Sequence, residues 1–159
     1  MPFNGLRVLS LESRRAEEMA TLIRKNGGDP IVAPSMREVP IDDNPEVFAF
    51  YESLTGGRYD MVILLTGVGT RAVDKVLAAR NGEGAFAAAL RTVTVVPRGP
   101  KPAAVLREWS VPWAVNVPSP NTWRELMIAI EDRPERRVAV QEYGKSNEQL
   151  LAALRARGC

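Results

Sequence analysis

Histidine is absent from this 159-residue chain, and its one cysteine, Cys159, is the last residue. These absences exclude Ser-His-Asp triads, Cys-His pairs, histidine metal sites and an internal disulfide framework. Any catalysis has to use carboxylates, tyrosine, lysine, arginine or backbone dipoles. No apolar run approaches the roughly 20 residues that span a bilayer, and the N-terminus lacks the apolar core of a signal peptide. We therefore expect a cytoplasmic protein with no membrane span and no metal site.

A strong excess of one charge is also missing, since the formal net charge is only +2. Nucleic-acid-binding proteins gather lysine and arginine on one face and place aromatic residues between them. Here the arginines are scattered and have acidic residues nearby, which indicates solvated helix faces. The composition therefore predicts no nucleic-acid partner, and the length suits one ordinary domain with a real core.

Apolar strands and amphipathic helices alternate along the chain. The patterns predict strands at 6–11, 59–67, 91–99, 113–119 and 136–144, and helices at 13–28, 44–57, 70–80, 82–90, 101–110, 121–132 and 146–158. The segment 29–41 carries three prolines, which predicts an edge or linker strand. Repeated strand–helix units indicate an α/β fold, a mostly parallel sheet with helices on both faces.

The turns that follow the strands are the candidate binding sites, because ligands of open parallel sheets bind beyond the carboxyl ends of the strands. The turns at 10–15, 66–71, 97–101 and 141–147, with 118–124 beside the last, each offer small residues, helix N-terminal N–H groups and a base. Such groups bind anions. The alternative is that the glycines merely fit tight turns. The candidate substrate-binding residues are Arg14, Thr66, Gly67, Val68, Gly69, Arg71, Arg98, Gly99, Lys101, Asn121, Thr122, Tyr143 and Gly144.

The stretch "LLTGVGTRAV" (64–73) contains G-x-G-x-x-A, the pattern of a dinucleotide-binding turn. The acidic residue that binds the ribose should follow at the end of the next strand, about 20 residues later. That strand ends in Pro97 and Arg98 instead. Arg98 could bind a 2′-phosphate, so an NADP-binding domain stays a less favoured alternative.

The order and spacing of these segments resemble those of the uroporphyrinogen-III synthase family along nearly the whole chain. The resemblance is carried by "GGDPIVAPSMREVPIDD", "YDMVILLTGVGTRAV", "VVPRGPKPAAVLREWSV", "PNTWRELMIAI" and "RVAVQEYGKSNEQLLAALRARG". It implies two flavodoxin-like domains joined by a two-stranded ladder. On that map, residues 1–28 are the first β-α unit of an incomplete domain, 29–41 are a connecting strand, and 42–159 are a domain lacking its last strand.

The resemblance also implies a reaction without a cofactor. Linear hydroxymethylbilane loses its hydroxyl as water, the last pyrrole ring inverts, and the macrocycle closes to uroporphyrinogen III. The many carboxylates of this tetrapyrrole suit turns of amides and bases. In such a reaction the enzyme mainly positions a folded substrate.

The chain departs from the family pattern at several positions. Gly67 stands where many members have Ser, Pro102 where Thr is frequent, and Leu11 where Arg is usual. The tyrosine that is the family's best candidate general acid would lie beyond Cys159, and Tyr143 is a different position with either a ligand-binding or a packing role. We therefore expect an incomplete chain with little or no activity, or alternatively a non-catalytic module that binds tetrapyrroles or other polyanions. Apolar surface left exposed on 6–28 predicts a homodimer.

Overall fold

The computed structural model describes residues 2–34, 44–142 and 144–159. The chain divides into two compact units, Met1–Pro40 and Ile41–Cys159. Within the described ranges, no helix is long and apolar enough to cross a membrane.

The first unit is a strand–helix–strand arrangement. It consists of β1 (Arg7–Ser10), α1 (Ala16–Lys25) and β2 (Asp29–Val32). The two strands pair in parallel from Arg7–Asp29 to Ser10–Val32. Helix α1 buries Ala20 and Ile23, whereas Met19 and the charged residues of the helix are exposed. Only the first four residues of the predicted strand 29–41 form a ladder, and its positions 35–41 lie outside the described residues.

The second unit contains a three-stranded parallel sheet and six helices among its described residues. The strands are β3 (Met61–Leu64), β4 (Thr94–Pro97) and β5 (Val138–Gln141), and the helices are α2 (Pro45–Thr55), α3 (Gly67–Asn81), α4 (Ala85–Leu90), α5 (Pro100–Glu108), α6 (Trp123–Ala129) and α7 (Glu148–Ala156). The strand order is β4-β3-β5, so β3 is central. All four residues of β3 are at most 1% exposed, as expected for a strand that is covered on both faces.

Successive side chains of β3 point to opposite faces of the sheet and enter two separate cores. Val62 and Leu64 pack with buried residues of α2, α3, α4 and α5. Met61 and Ile63 pack with buried residues of α6 and α7. Helices therefore cover both faces of a parallel sheet, and the predicted α/β fold is confirmed.

Several helices of the second unit begin with a capping side chain. The Asn44 side chain accepts a hydrogen bond from Val47 N at 3.2 Å, and Pro45 occupies the first helical position. Thr122 and Glu125 form a capping box. Helix α3 begins three residues before the predicted boundary, because Thr66 Oγ1 accepts from Gly69 N at 3.0 Å and caps the helix there.

The predicted strand at 113–119 does not form a ladder. Its segment lies beside β4, where Ala114 N donates to Val95 O at 2.9 Å. The Trp113 indole N–H donates to Asn116 Oδ1 at 2.8 Å, so side-chain bonding bends the segment locally. Pro118 has no N–H to donate further along the same edge. An apolar alternating pattern thus yields an extended loop rather than a fourth strand.

An ion pair joins the amino-terminal ends of β3 and β5. Arg137, just before β5, donates through its guanidinium to both carboxylate oxygens of Asp60, which precedes β3. This hydrogen-bonded pairing lowers the pKa of Asp60 from its ordinary 3.8 to about 2. The bond joins residues that are distant in sequence at the start of two paired strands.

We expect Asp60→Asn to lower the melting temperature at neutral pH and to have a smaller effect at pH 2, where folded Asp60 is about half protonated. A carboxyl whose pKa is depressed on folding contributes stability above its ordinary pKa and loses it as pH falls through the folded value. The melting temperature of both proteins between pH 2 and 7 measures this difference, which should be small because the pair is partly exposed. Asp132→Asn, at an exposed site, is the matched control. A pH-independent difference would contradict the assignment.

Candidate functional site

The candidate site lies at the carboxyl ends of the three strands in the second unit. Because β3 is central, the turn that follows it is flanked by the turns after β4 and β5. The register places Leu64 beside Pro97 on one side and beside Gln141 on the other. The fold therefore brings together three of the segments that the sequence singles out: 66–71, 97–101 and 141–147.

The turn after β3 leads directly into the longest described helix, α3. Thr66 caps this helix, and Thr70 Oγ1 donates back to Thr66 O at 2.8 Å. Within the ranges that the structure describes, the amides of Gly67 and Val68 have no acceptor, whereas those of Gly69 and Thr70 are bonded to Thr66. Two first-turn donors at the positive end of a helix thus remain available.

The two glycines of this turn are needed for packing within the protein. A Cβ at Gly67 would lie 2.8 Å from Lys101 O, on the backbone of α5. A Cβ at Gly69 would lie 2.0 Å from Gln141 Nε2. The sequence analysis names both glycines as candidate substrate-binding residues, with a fit to tight turns as the alternative. The Cβ side of each glycine faces atoms of the chain itself, and contact of their amide groups with a ligand stays a prediction.

The turn after β4 supplies positive charge and few amides. Arg98 N donates to Leu64 O at 3.0 Å, which ties this turn to β3. Neither Arg98 nor exposed Lys101 forms an ion pair with any described residue. Pro100 and Pro102 have no N–H, so the start of α5 offers fewer donors than the sequence interpretation assumed. Charge, rather than amide geometry, is what this turn contributes.

Asn121 and Thr122 lie beside the β4 turn, but their polar groups are used internally. Gly99 leaves room for Asn121, because a Cβ added at position 99 would lie only 3.1 Å from the Cβ of Asn121. The Asn121 amide donates to Val117 O at 2.7 Å. Thr122 N and Thr122 Oγ1 both donate hydrogen bonds to Glu125 Oε2. The bond from the Thr122 hydroxyl lowers the pKa of the Glu125 carboxyl. The capping role of Thr122 is thus established, whereas a ligand contact stays a prediction.

The turn after β5 contains two residues that sequence reasoning missed, Gln141 and Glu142. The Glu142 carboxylate accepts from Ser146 Oγ at 2.9 and 3.0 Å and from Asn147 N at 2.9 Å. Tyr143 lies outside the described residues, and Gly144 has a left-handed φ of +75°. Both residues lie at the end of a predicted strand, and this position was the sequence signal that could have identified them.

Arg71 lies on α3, and its guanidinium is paired with an acidic residue of the chain. Its guanidinium makes two bonds to the Glu108 carboxylate, with NH1 to Oε1 at 3.0 Å. This pairing raises the pKa of Arg71 and lowers that of Glu108. The pair fastens α3 to α5, and a substrate carboxylate would have to compete with Glu108 for it.

Arg14 belongs to the first unit, in the turn between β1 and α1. The Glu12 carboxylate accepts from Arg14 N at 2.9 Å and from Arg15 N at 3.2 Å. These backbone bonds lower the pKa of Glu12, with that of Arg15 the largest contribution. The amides of this turn are therefore already bonded to an anion of the chain.

One pattern unites these observations. Glu12, Glu125 and Glu142 each place a carboxylate on the amides of their own turn. The turns after β3 and β4 contain no acidic residue at positions 65–73 and 98–102. These two turns therefore combine free first-turn amides with cations that have no acidic partner among the described residues. In the same ranges, no group of three acidic or cysteine side chains is arranged to hold a metal ion.

Comparison with known proteins identifies the family. The model of the family described as uroporphyrinogen-III synthase HemD (HEM4) matches residues 17–159. The chain belongs to the uroporphyrinogen-III synthase family. The resemblance drawn from its sequence segments is thereby confirmed.

Solved structures and one curated relative agree with this membership. A mutant uroporphyrinogen III synthase from the extremely thermophilic bacterium Thermus thermophilus is similar with a TM-score of 0.73 and 26% identity, over 97% of this chain and 58% of that one. The wild-type enzyme gives a TM-score of 0.65 and 28% identity over the same shares. The uncharacterized protein YjjA of Bacillus subtilis (strain 168) is 29% identical over 160 residues, 97% of this chain and 57% of YjjA. The chain thus spans less than three fifths of the length of these family relatives.

We expect Gly67→Ala to destabilise this family member by about 1–3 kcal/mol, as overpacking of a close contact does. The new Cβ meets a backbone carbonyl that cannot turn aside. Alanine is otherwise the better helix former by about 1 kcal/mol, so a net loss in urea denaturation isolates the steric clash. Val68→Ala, at the neighbouring 37% exposed position, should change stability by less than about 0.5 kcal/mol. A neutral or stabilising Gly67→Ala would show that α3 and α5 lie further apart.

Proposed function

We propose that this chain is a uroporphyrinogen-III-synthase-like protein that binds carboxylates of a tetrapyrrole at the carboxyl edge of its three-stranded sheet. The observation that carries the proposal is the turn pair after β3 and β4. It combines the free amides of Gly67 and Val68 with two cations, Arg98 and Lys101, that lack an acidic partner among the described residues.

The chemistry of this edge suits a carboxylate-bearing ligand. A carboxylate at a helix N-terminus gains about 0.3–1 kcal/mol at an exposed site. A charge-assisted bond from a guanidinium adds about 1.5–3 kcal/mol. Several such contacts would hold a polycarboxylate in one orientation. Orientation is the main requirement of the proposed reaction, in which hydroxymethylbilane loses water, inverts its last ring and closes without a cofactor.

Ring closure by this chain alone is a separate proposal, and we expect little or none. The support is that the chain spans 58% of the length of the Thermus enzymes. A module that binds tetrapyrroles or other polyanions without catalysis is the second candidate function. The assignment of 1–28, 29–41 and 42–159 to an incomplete domain, a connecting strand and a flavodoxin-like domain also stays a proposal, as does a cytoplasmic location.

We expect Arg98→Ala to weaken the binding of uroporphyrinogen III by roughly tenfold, the effect of about 1.4 kcal/mol from one lost charged contact. Calorimetric titration under anaerobic conditions measures the affinity. Arg58→Ala is the matched control, because exposed Arg58 precedes β3 at the opposite edge of the sheet.

A ring-closure assay, a titration with NADP and the titration of the two variants separate the alternatives. Ring closure of hydroxymethylbilane by the 159-residue chain would overturn the expected inactivity, and binding without closure would favour the module. NADP should not bind, because the Gln141 carboxamide occupies the space beside Gly69 where a pyrophosphate would have to approach the backbone. Equal losses for Arg98→Ala and Arg58→Ala would contradict the proposed site.

We also propose that two chains associate through the first unit. A small strand–helix–strand unit has few buried residues, and large apolar patches on a surface mark interaction sites. Seven large apolar side chains of this unit are 36–64% exposed: Leu6, Leu9, Leu11, Met19, Leu22, Ile31 and Val32.

Light scattering tests the homodimer. The wild-type chain should give a dimer mass that falls on dilution, and Leu22→Glu should give a monomer. Ile128→Glu changes a still more exposed apolar residue, 68% exposed in the second unit against 53% for Leu22, and should leave the dimer intact. A wild-type monomer at all concentrations would contradict this proposal.

A further inference from the structure

The side chain of Gln141 lies against the first turn of α3. Of the described glycines, Gly69 is the one whose added Cβ would meet the closest atom, Gln141 Nε2 at 2.0 Å. The carboxamide carbon would be 2.7 Å away from the same Cβ. Only a glycine at position 69 therefore allows the carboxamide to occupy this place. Gln141 is the last residue of β5, so the contact joins that strand directly to the helix start.

Hydrogen bonds fix the carboxamide from both ends. Gln141 Nε2 donates to Glu142 O at 2.5 Å, and Gln141 Oε1 accepts from Thr66 N at 3.4 Å. The Gln141 side chain thus takes up the amide of Thr66, and Thr66 Oγ1 takes up that of Gly69. Among the described residues, the amides of Gly67 and Val68 have no acceptor.

The neutral side chain of Gln141 distinguishes the turn before α3 from the turns at α1, α6 and α7. At α1, α6 and α7 a glutamate carboxylate lies on the amides of the turn and supplies the anion itself. At α3 the side chain in reach of the turn is an uncharged carboxamide of nearly the same shape. It supports the turn and leaves the positive potential of the helix start unneutralised.

We infer that Gln141 is a positioning residue that holds the α3 turn in shape for a carboxylate while keeping it free of negative charge. The inference deepens the proposed function and rests on it for the identity of the natural ligand. A carboxylate in place of the carboxamide would make the turn resemble those at α1, α6 and α7. Anion binding at Gly67 and Val68 would then be lost through repulsion between like charges a few ångströms apart.

The test uses the 159-residue chain and propane-1,2,3-tricarboxylate as the probe. Backbone ¹⁵N–¹H signals of Thr66, Gly67 and Val68 report binding at the turn, and the signal of Thr66 also reports its bond to Gln141. We expect the wild-type signals of Gly67 and Val68 to shift on titration. Gln141→Glu should weaken this binding by roughly tenfold or more. Gln141→Met, which keeps the shape but removes the acceptor, should weaken it about threefold and move the Thr66 signal.

Two controls give the inference a clear outcome. Gln149→Glu adds the same charge on α7, where residue 149 bonds to Trp123, and should leave the affinity unchanged. Far-UV circular dichroism confirms that each variant is folded, and Gln141→Met replaces Gln141→Glu as the decisive variant if the latter does not fold.

Equal affinities for wild type, Gln141→Glu and Gln141→Met would overturn the inference, as would a wild-type chain whose turn signals do not respond to the probe. Loss of probe binding in Gln141→Glu would support it. If that loss occurs but uroporphyrinogen III does not bind the wild type, the proposed function fails while the positioning role stands.

Discussion

The complete burial of β3 is the constraint on which the second unit depends. Four consecutive residues without solvent contact require a partner surface on each face and a paired strand on each edge. The helices on both faces and the position of the binding turn follow from this requirement. A turn that leaves the central strand has neighbours on two sides, so its conformation is set by contacts with α5 and with the end of β5.

Much of this architecture could be predicted from the sequence, because its signals are local. The continuous apolar run around β3, the Asn44–Pro45 start of α2 and the capping box of Thr122 each act within a few residues. The predicted strand at 113–119 failed for the opposite reason. Strand formation depends on a second chain segment with free backbone groups, and an alternating apolar pattern cannot reveal whether such an edge is available.

The site was predictable only in outline. The sequence located the turns, since the ends of parallel strands share one edge, but it could not show which amides are already bonded. Glu142 reaches forward to Asn147, and Arg71 pairs with Glu108, 37 residues away. Such choices depend on side-chain direction and on contacts between distant segments. The sequence also could not show that a Cβ at Gly67 would lie 2.8 Å from the Lys101 carbonyl oxygen.

The two prolines at the start of α5 have a consequence for selectivity. A helix start with several amides discriminates among anions by the geometry of their oxygens. Pro100 and Pro102 remove two of those donors at the start of α5, where Arg98 and Lys101 supply positive charge. Attraction between point charges has little angular dependence, so under the proposed function this side of the edge tolerates anions of different shape and orientation. In the proposed site, the amides of α3 are the directional contacts, and Arg98 and Lys101 are the permissive ones.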